Sequence, residues 1–303
     1  MDLVFIGFGE AAWQIASGLH SSGAKLEMAA YDVQSNHPLL GPQIQQRAQD
    51  TKVTLLASSE DVSRTNARFI LCLTSATSAL PIAQQLFPRL HAEQVYVDMN
   101  SSAPTVKQDI AALAKQHGIR FCDAAVMGTV PGNQHRVPML LAGEGADSFH
   151  ETFSVYGMRL SILNGEAGAA SAIKMLKSVV MKGLPQLFIE AFQGAEKFGV
   201  VDTLAASLAE SLEGKTIQQL ANTFTARTFI HAARRSAEMR DALATLQGVG
   251  VNSEMTEATQ RKLDWLAKDD WKSLLGVNGS DMPYQDAIRM LVKHTNGDNH
   301  DSL

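Results

Sequence analysis

Cysteine is scarce in this chain, which has only Cys72 and Cys122, and no apolar run reaches 18 residues. Two thiols in apolar, strand-like runs exclude a disulfide-stapled scaffold and read as buried and reduced, which points to the cytoplasm. The missing long apolar run excludes a helical membrane span. Positive charge is not in surplus: 26 Lys+Arg stand against 31 Asp+Glu, a net of −5, so no nucleic-acid partner is expected. The N-terminus lacks the basic stretch of a signal peptide, because Asp2 precedes a short apolar run that Gly7 interrupts. None of the nine histidines stands at metal-ligand spacing from another His, Cys or carboxylate, so no metal is expected. Repeats and low-complexity segments are absent. What remains is 303 residues, 45% hydrophobic and 19% charged, enough for two domains with ample core.

The most informative segment is the first 32 residues. The run Leu3-Val4-Phe5-Ile6 leads into Gly7-Phe8-Gly9-Glu10-Ala11-Ala12, a helical pattern follows, and a second apolar stretch ends on Tyr31-Asp32. This is a G-x-G-x-x-A dinucleotide fingerprint in the required strand–turn–helix–strand–acid context. Gly7 permits the tight turn, Gly9 lets the backbone approach a pyrophosphate at the helix N-terminus, and Ala12 allows close helix–strand packing. Asp32 can accept hydrogen bonds from a ribose diol and would repel a 2′-phosphate, favouring NAD over NADP. Tyr31 either lines the adenine or packs in the sheet. Leu73 and Thr74, where the fourth apolar run ends, are assigned to the same cofactor site.

Strand-like runs at Leu3–Ile6, Leu26–Tyr31, Val53–Leu56, Arg68–Leu73, Gln94–Asp98 and Ile119–Cys122 alternate with helical patterns such as Ala11–Ser21 and Thr105–Gln116. That alternation predicts an α/β, Rossmann-type, doubly wound parallel sheet. Pro138–Ala142 and Arg159–Leu163 extend it around a helical Asp147–Tyr156. After Asn164-Gly165 the pattern is helical, so residues 1–164 are expected to form a dinucleotide-binding domain and 165–303 an all-α domain. A long helix from Gly168 towards Phe198 should kink or break at Pro185. The polar end, 295–303, is expected to fray.

Three further segments follow in order. Asp98-Met99-Asn100-Ser101-Ser102-Ala103-Pro104 lies at the carboxyl end of the fifth strand, where open α/β sheets bind ligands. Asp123-Ala124-Ala125-Val126-Met127-Gly128-Thr129 is placed in a loop whose N–H groups could cradle an anion. Gly165–Gly168 leads into Ala169–Ile173 and Lys174. With the glycine turn, these segments resemble the β-hydroxyacid dehydrogenase family, which includes 3-hydroxyisobutyrate and 6-phosphogluconate dehydrogenases. The stretch around Arg234–Met239 looks like a poorly characterised, phosphogluconate-dehydrogenase-like branch.

The resemblance implies a Rossmann-type first domain, a helical second domain that forms a homodimer, and a catalytic acid/base at Lys174. It implies an NAD(P)-dependent oxidoreductase acting on a small hydroxy acid or its carbonyl counterpart. The chain also departs from the family. The usual Asp-Ala-Pro-Val-Ser-Gly-Gly has Ala125 for proline, Met127 for serine and Thr129 for the second glycine. One turn past the lysine, Lys177 and Ser178 replace a polar residue and an asparagine. These changes weigh against phosphogluconate as substrate.

Read from the residues, Lys174 must be neutral to act as a base, which desolvation or a nearby cation would favour. Lys177, three residues on, is expected to supply that cation or to bind a substrate carboxylate. Asn100 is assigned to the cofactor; Ser101, Met127, Gly128, Thr129, Lys177 and Ser178 are assigned to the substrate. Asn100 and Ser101 have an alternative role at the cap of the helix near Pro104, where Ser102 or Ala103 is the better-placed cap. Met127 either softens the pocket wall or simply packs. His231 with Arg227 and Arg234 makes either a cleft contact or a solvated face. A non-catalytic NAD(P)-binding sensor or scaffold is the alternative from another class, and an imine reductase the alternative among enzymes. Lys174 weighs against both.

Overall fold

A computed structural model describes residues 1–276 and 278–297. The end of the expected frayed tail, 298–303, lies outside them. The contacts divide the chain into two compact units, Met1–Val179 and the part from Val180 onward.

The first unit alternates strand and helix in the order β1 (Leu3–Ile6), α1 (Glu10–Ser21), β2 (Met28–Tyr31), α2 (Gly41–Asp50), β3 (Thr54–Leu55), α3 (Ser59–Arg64), β4 (Phe69–Cys72), α4 (Ala79–Leu86), β5 (Val95–Asp98), α5 (Pro104–Gln116), β6 (Arg120–Val126), β7 (Met139–Ala142), α6 (Ala146–Phe153) and β8 (Leu160–Ile162). The strands form one eight-stranded sheet in the order β3-β2-β1-β4-β5-β6-β7-β8. All neighbours pair parallel except β6 and β7. Both faces are covered, which is why β1 is buried along its whole length. Leu3 and Phe5 enter one core cluster with Phe69, Phe149 and Phe153, and Val4 and Ile6 enter the other with Ile70, Leu86 and Phe87. At roughly 25 cal/mol per Å² of apolar surface buried, these two clusters are the main source of the unit's stability. Strand order reverses between β1 and β4, and the carboxyl ends of those strands open the crevice where such sheets bind ligands.

One expectation is corrected, the end of β6 and with it the start of the loop that follows. β6 does not stop at Cys122. Its antiparallel ladder with β7 pairs Asp123 with Ala142 and Val126 with Met139, so residues 123–126 are strand. The segment expected as an anion-cradling loop therefore begins only at Met127, whose own N–H is taken by the carbonyl of Pro138 at 2.8 Å. The cap of α5 is Ala103, with Pro104 at the first helical position. Asn100 and Ser101 are thus free of capping, and the Ser102 hydroxyl bonds the carbonyl of Ala76 instead.

α7 (Ala169–Phe198) carries the chain from the first unit into the second. It continues through Pro185 without ending, although proline removes one i→i−4 bond from the interior. The remaining helices are α8 (Val201–Leu212), α9 (Ile217–Ile230), α10 (Ala232–Gly248), α11 (Glu254–Leu266), α12 (Trp271–Leu275) and α13 (Tyr284–Gly297). Among the described residues no strand occurs after β8. The core of the second unit gathers Ala226, Phe229, Ala232, Leu266, Trp271, Leu275 and Ala287. Buried Glu190 receives the backbone N–H of Met255 at 2.6 Å and of Thr256 at 2.9 Å, and the Thr256 hydroxyl at 2.7 Å, fixing the start of α11. His231 is exposed between α9 and α10, while Arg227 pairs with Asp281 and Arg234 with Glu238. No described helix is long and apolar enough to cross a membrane.

Candidate active site

The glycine turn after β1 borders a cavity of about 680 Å³ lined by Gly7, Gly9, Tyr31, Asp32, Leu73 and Thr74, among others. Gly7 has φ +84°, and a Cβ there would collide with the Leu73 carbonyl, so no other residue suits the turn. At Gly9 a Cβ would meet nothing within 4 Å. Gly9 caps α1 without a side-chain bond, which leaves the first-turn amides without a side-chain acceptor. A bare helix terminus beside an open glycine is a site for a phosphate group. Asp32 stands at the rim: one carboxylate oxygen accepts the Phe8 N–H at 2.7 Å and the other accepts the Gln34 N–H at 2.8 Å. A carboxylate has about four lone-pair sites, so capacity remains for a ribose diol. No lysine or arginine lines the cavity; Val33 and Gln34 follow Asp32. These residues fit a nicotinamide dinucleotide.

The sequence-assigned cofactor residues divide into groups. Gly7, Gly9, Tyr31, Asp32, Leu73 and Thr74 line the cavity. Ala12 is buried in the core beneath the turn. Phe8 turns its side chain into the core, its ring 5.7 Å from that of Phe5, and its N–H is already held by Asp32. Glu10 and Ala11 form the first turn of α1, both at least partly exposed. Asn100 is buried and supports the cavity from below: its amide oxygen accepts the Thr74 N–H at 2.6 Å, and its amide nitrogen bonds Asp98 at 2.6 Å.

Next to Asn100, the hydroxyl of Ser101 accepts a 2.7 Å hydrogen bond from the Lys174 ammonium, so residues 73 apart meet. Lys174 is partly buried in the second turn of α7. Burial pushes its pKa below the ordinary 10.5, the charge of Lys107 pushes it further the same way, and Asp123 pulls it back up. The cation acting on Lys174 is therefore Lys107 of α5, not Lys177 as helical spacing implied. Lys177 itself is exposed. Ser178 bonds back to the Lys174 carbonyl at 3.1 Å. Met127 packs with Ala125, Ala142 and Ala170, while Gly128 and Thr129 are exposed. Both thiols are buried and free, and burial raises each.

Lys107, Asp98, Asp123 and Ser171 were not assigned a role from sequence. Lys107 is wholly buried, its ammonium 2.9 Å from Asp98 Oδ2 and 3.4 Å from Asp123 Oδ1, with a 2.8 Å bond to the Asp98 carbonyl. Asp123 accepts the N–H of Gly168 at 3.1 Å, the N–H of Ser171 at 2.9 Å and the Ser171 hydroxyl at 2.7 Å. Gly168 suits this anchor because its φ is +97° and a Cβ would press on the Pro104 carbonyl at 2.9 Å. One signal was readable: Lys107, Ile110 and Ala114 share the buried stripe of α5, an unusual place for a lysine.

A glycine-turn cavity at the switch point of a parallel sheet, with a helical unit following, defines a dinucleotide-binding protein of the dehydrogenase class. Residues 2–157 match the family model described as the NAD binding domain of 6-phosphogluconate dehydrogenase, and residues 195–266 match a domain of unknown function, DUF1932. The chain is similar to a conserved hypothetical protein from Sinorhizobium meliloti 1021, 32% identical, with TM-score 0.63 over 97% of this chain and 96% of that one. It is also similar to a conserved protein of unknown function, MTH1747, described as structurally similar to 3-hydroxyacid dehydrogenases: 28% identical, TM-score 0.61, 88% of this chain and 97% of that one. An imine reductase from Myxococcus stipitatus in complex with NADP+ shares the fold at 16% identity, TM-score 0.68, over 96% of this chain and all of that one. The chain belongs to the β-hydroxyacid dehydrogenase family of NAD(P)-dependent oxidoreductases.

Proposed function

We propose that this protein interconverts a small hydroxy acid and its carbonyl counterpart using NAD, with Lys174 as general acid/base. The observation that carries this reading is the Lys174–Ser101 bond beside the cofactor cavity, made by an amine whose proton affinity is already lowered. When bound, the dinucleotide supplies a hydride acceptor for oxidation and a hydride donor for reduction. In oxidation, neutral Lys174 takes the proton of the substrate hydroxyl; in reduction, its ammonium returns a proton to the nascent alkoxide. The Ser101 hydroxyl accepts from Lys174 and keeps its own proton for the reacting oxygen. The substrate carboxylate is oriented by the N–H groups of Gly128 and Thr129 and by Lys177. Asp32 and a cavity without lysine or arginine favour the unphosphorylated ribose, hence NAD over NADP.

Two buried free thiols suit the reducing cytoplasm. Leu176, Val179, Val180, Met181 and Leu184 of α7 are all more than 40% exposed, an apolar surface that suits burial against a second copy. A single-chain mass in gel filtration would contradict that homodimer. The reaction is tested by following absorbance at 340 nm with NAD or NADP and a panel of 2- and 3-hydroxy acids. Turnover with at least one acid, faster with NAD, is expected. Silence across the panel despite tight NADH binding would overturn the enzymatic reading in favour of a non-catalytic binder.

A further inference from the structure

The strands β5 and β6 place Asp98 and Asp123 in register, so two carboxylates lie side by side in the fully buried interior. Their repulsion is relieved by one cation, Lys107, which forms ion pairs with Asp98 Oδ2 and Asp123 Oδ1 and donates a hydrogen bond to the Asp98 carbonyl. Such a cluster is an inefficient way to stabilise a core, because well-packed apolar residues usually do as well or better. Its connections give it another purpose. Asp98 accepts the backbone N–H of Asn100 at 3.0 Å and its amide at 2.6 Å, and Asn100 in turn holds Thr74 at the cavity. Asp123 holds Gly168 and Ser171, the start of the helix that presents Lys174 one turn further on. The two carboxylates therefore serve the two halves of the site, and Lys107 is the group that joins them.

We infer that Lys107 and Asp123 are positioning residues for the proposed reaction: Asp123 fixes the rotation of α7 and hence the reach of Lys174, and Lys107 ties that anchor to the Asp98–Asn100–Thr74 support of the cofactor cavity. The inference rests on Lys174 as the acid/base. Four groups act on or stand beside Lys174: Ser101 following β5, Lys107 of α5, Asp123 of β6 and Lys177 on its own helix. Lys107 and Asp123 act on its proton with opposite sign, lowering and raising its pKa respectively.

The test measures how fast Lys174 of the full-length protein reacts with trace acetic anhydride as pH is varied, read by peptide mass spectrometry with exposed Lys25 as reference. In Lys107→Met the half-point of Lys174 labelling should move to higher pH; in Asp123→Asn it should move to lower pH. Movement of both in one direction, or of neither, would overturn the inference. If Lys107→Met fails to fold by circular dichroism, Asp123→Asn decides alone: a downward shift upholds the pair, and an unmoved or upward half-point overturns it. Because labelling needs no substrate, a silent absorbance panel would sink the proposed reaction without altering this result. Turnover in the panel with unmoved half-points would sink only the positioning pair.

Discussion

Asp123 in the first unit and Glu190 in the second use the same device. Each is a buried carboxylate that takes two backbone N–H groups and one hydroxyl from the first turn of a helix: Gly168, Ser171 and the Ser171 hydroxyl for α7, Met255, Thr256 and the Thr256 hydroxyl for α11. In both cases the negative charge sits where the helix dipole is positive. The difference is the cation. Asp123 shares Lys107 with Asp98 and acts on Lys174, whereas among the described residues no lysine or arginine pairs with Glu190. A helix cap alone stabilises; a cap joined to a buried ammonium can also set the position and proton affinity of a neighbouring amine.

Substitutions separate the two roles. Lys107→Met leaves two adjacent carboxylates without their cation and is expected to cost about 3–5 kcal/mol in urea unfolding, the range for breaking a buried ion pair. A loss below about 1 kcal/mol would mean that the cluster is not held by charge. Glu190→Gln keeps an acceptor oxygen but loses the charge on the helix terminus, so about 1–2 kcal/mol is expected. It should leave the pH dependence of turnover where it was. A shift of that profile in Glu190→Gln would erase the distinction between the two caps.

The glycine turn was legible in the sequence because its chemistry is local. Gly7, Gly9 and Ala12 do their work through backbone conformation and contacts within one strand–turn–helix, and Asp32 lies at the end of the very next strand. The sheet was legible too, since strands covered on both faces read as apolar runs. The lysine site was legible only in part. Family likeness marked Lys174 and the residues themselves offered Ser101, but helical spacing suggested Lys177 as the depressing cation when Lys107, 67 positions before Lys174, fills that role. Spacing along one helix cannot reveal a side chain delivered by another. Asp123 was misplaced in a loop although it pairs with Asp98 of β5, and the rest of the extension, residues 124–126, pairs with β7 beyond a long connection. Pro185 did not end α7, so the local penalty of a proline was a poor guide to where that helix stops.

The most direct test of the central claim is the pH dependence of turnover in the oxidation direction for the wild type and Lys174→Ala. The wild-type rate should rise with pH through a group titrating below the ordinary lysine range, because the amine must lose its proton to act as base. Lys174→Ala should lose turnover by about 10²–10⁴-fold, together with that rise, while NADH affinity stays the same. Full turnover in Lys174→Ala, with the rise intact, would contradict the assignment of Lys174 as the acid/base.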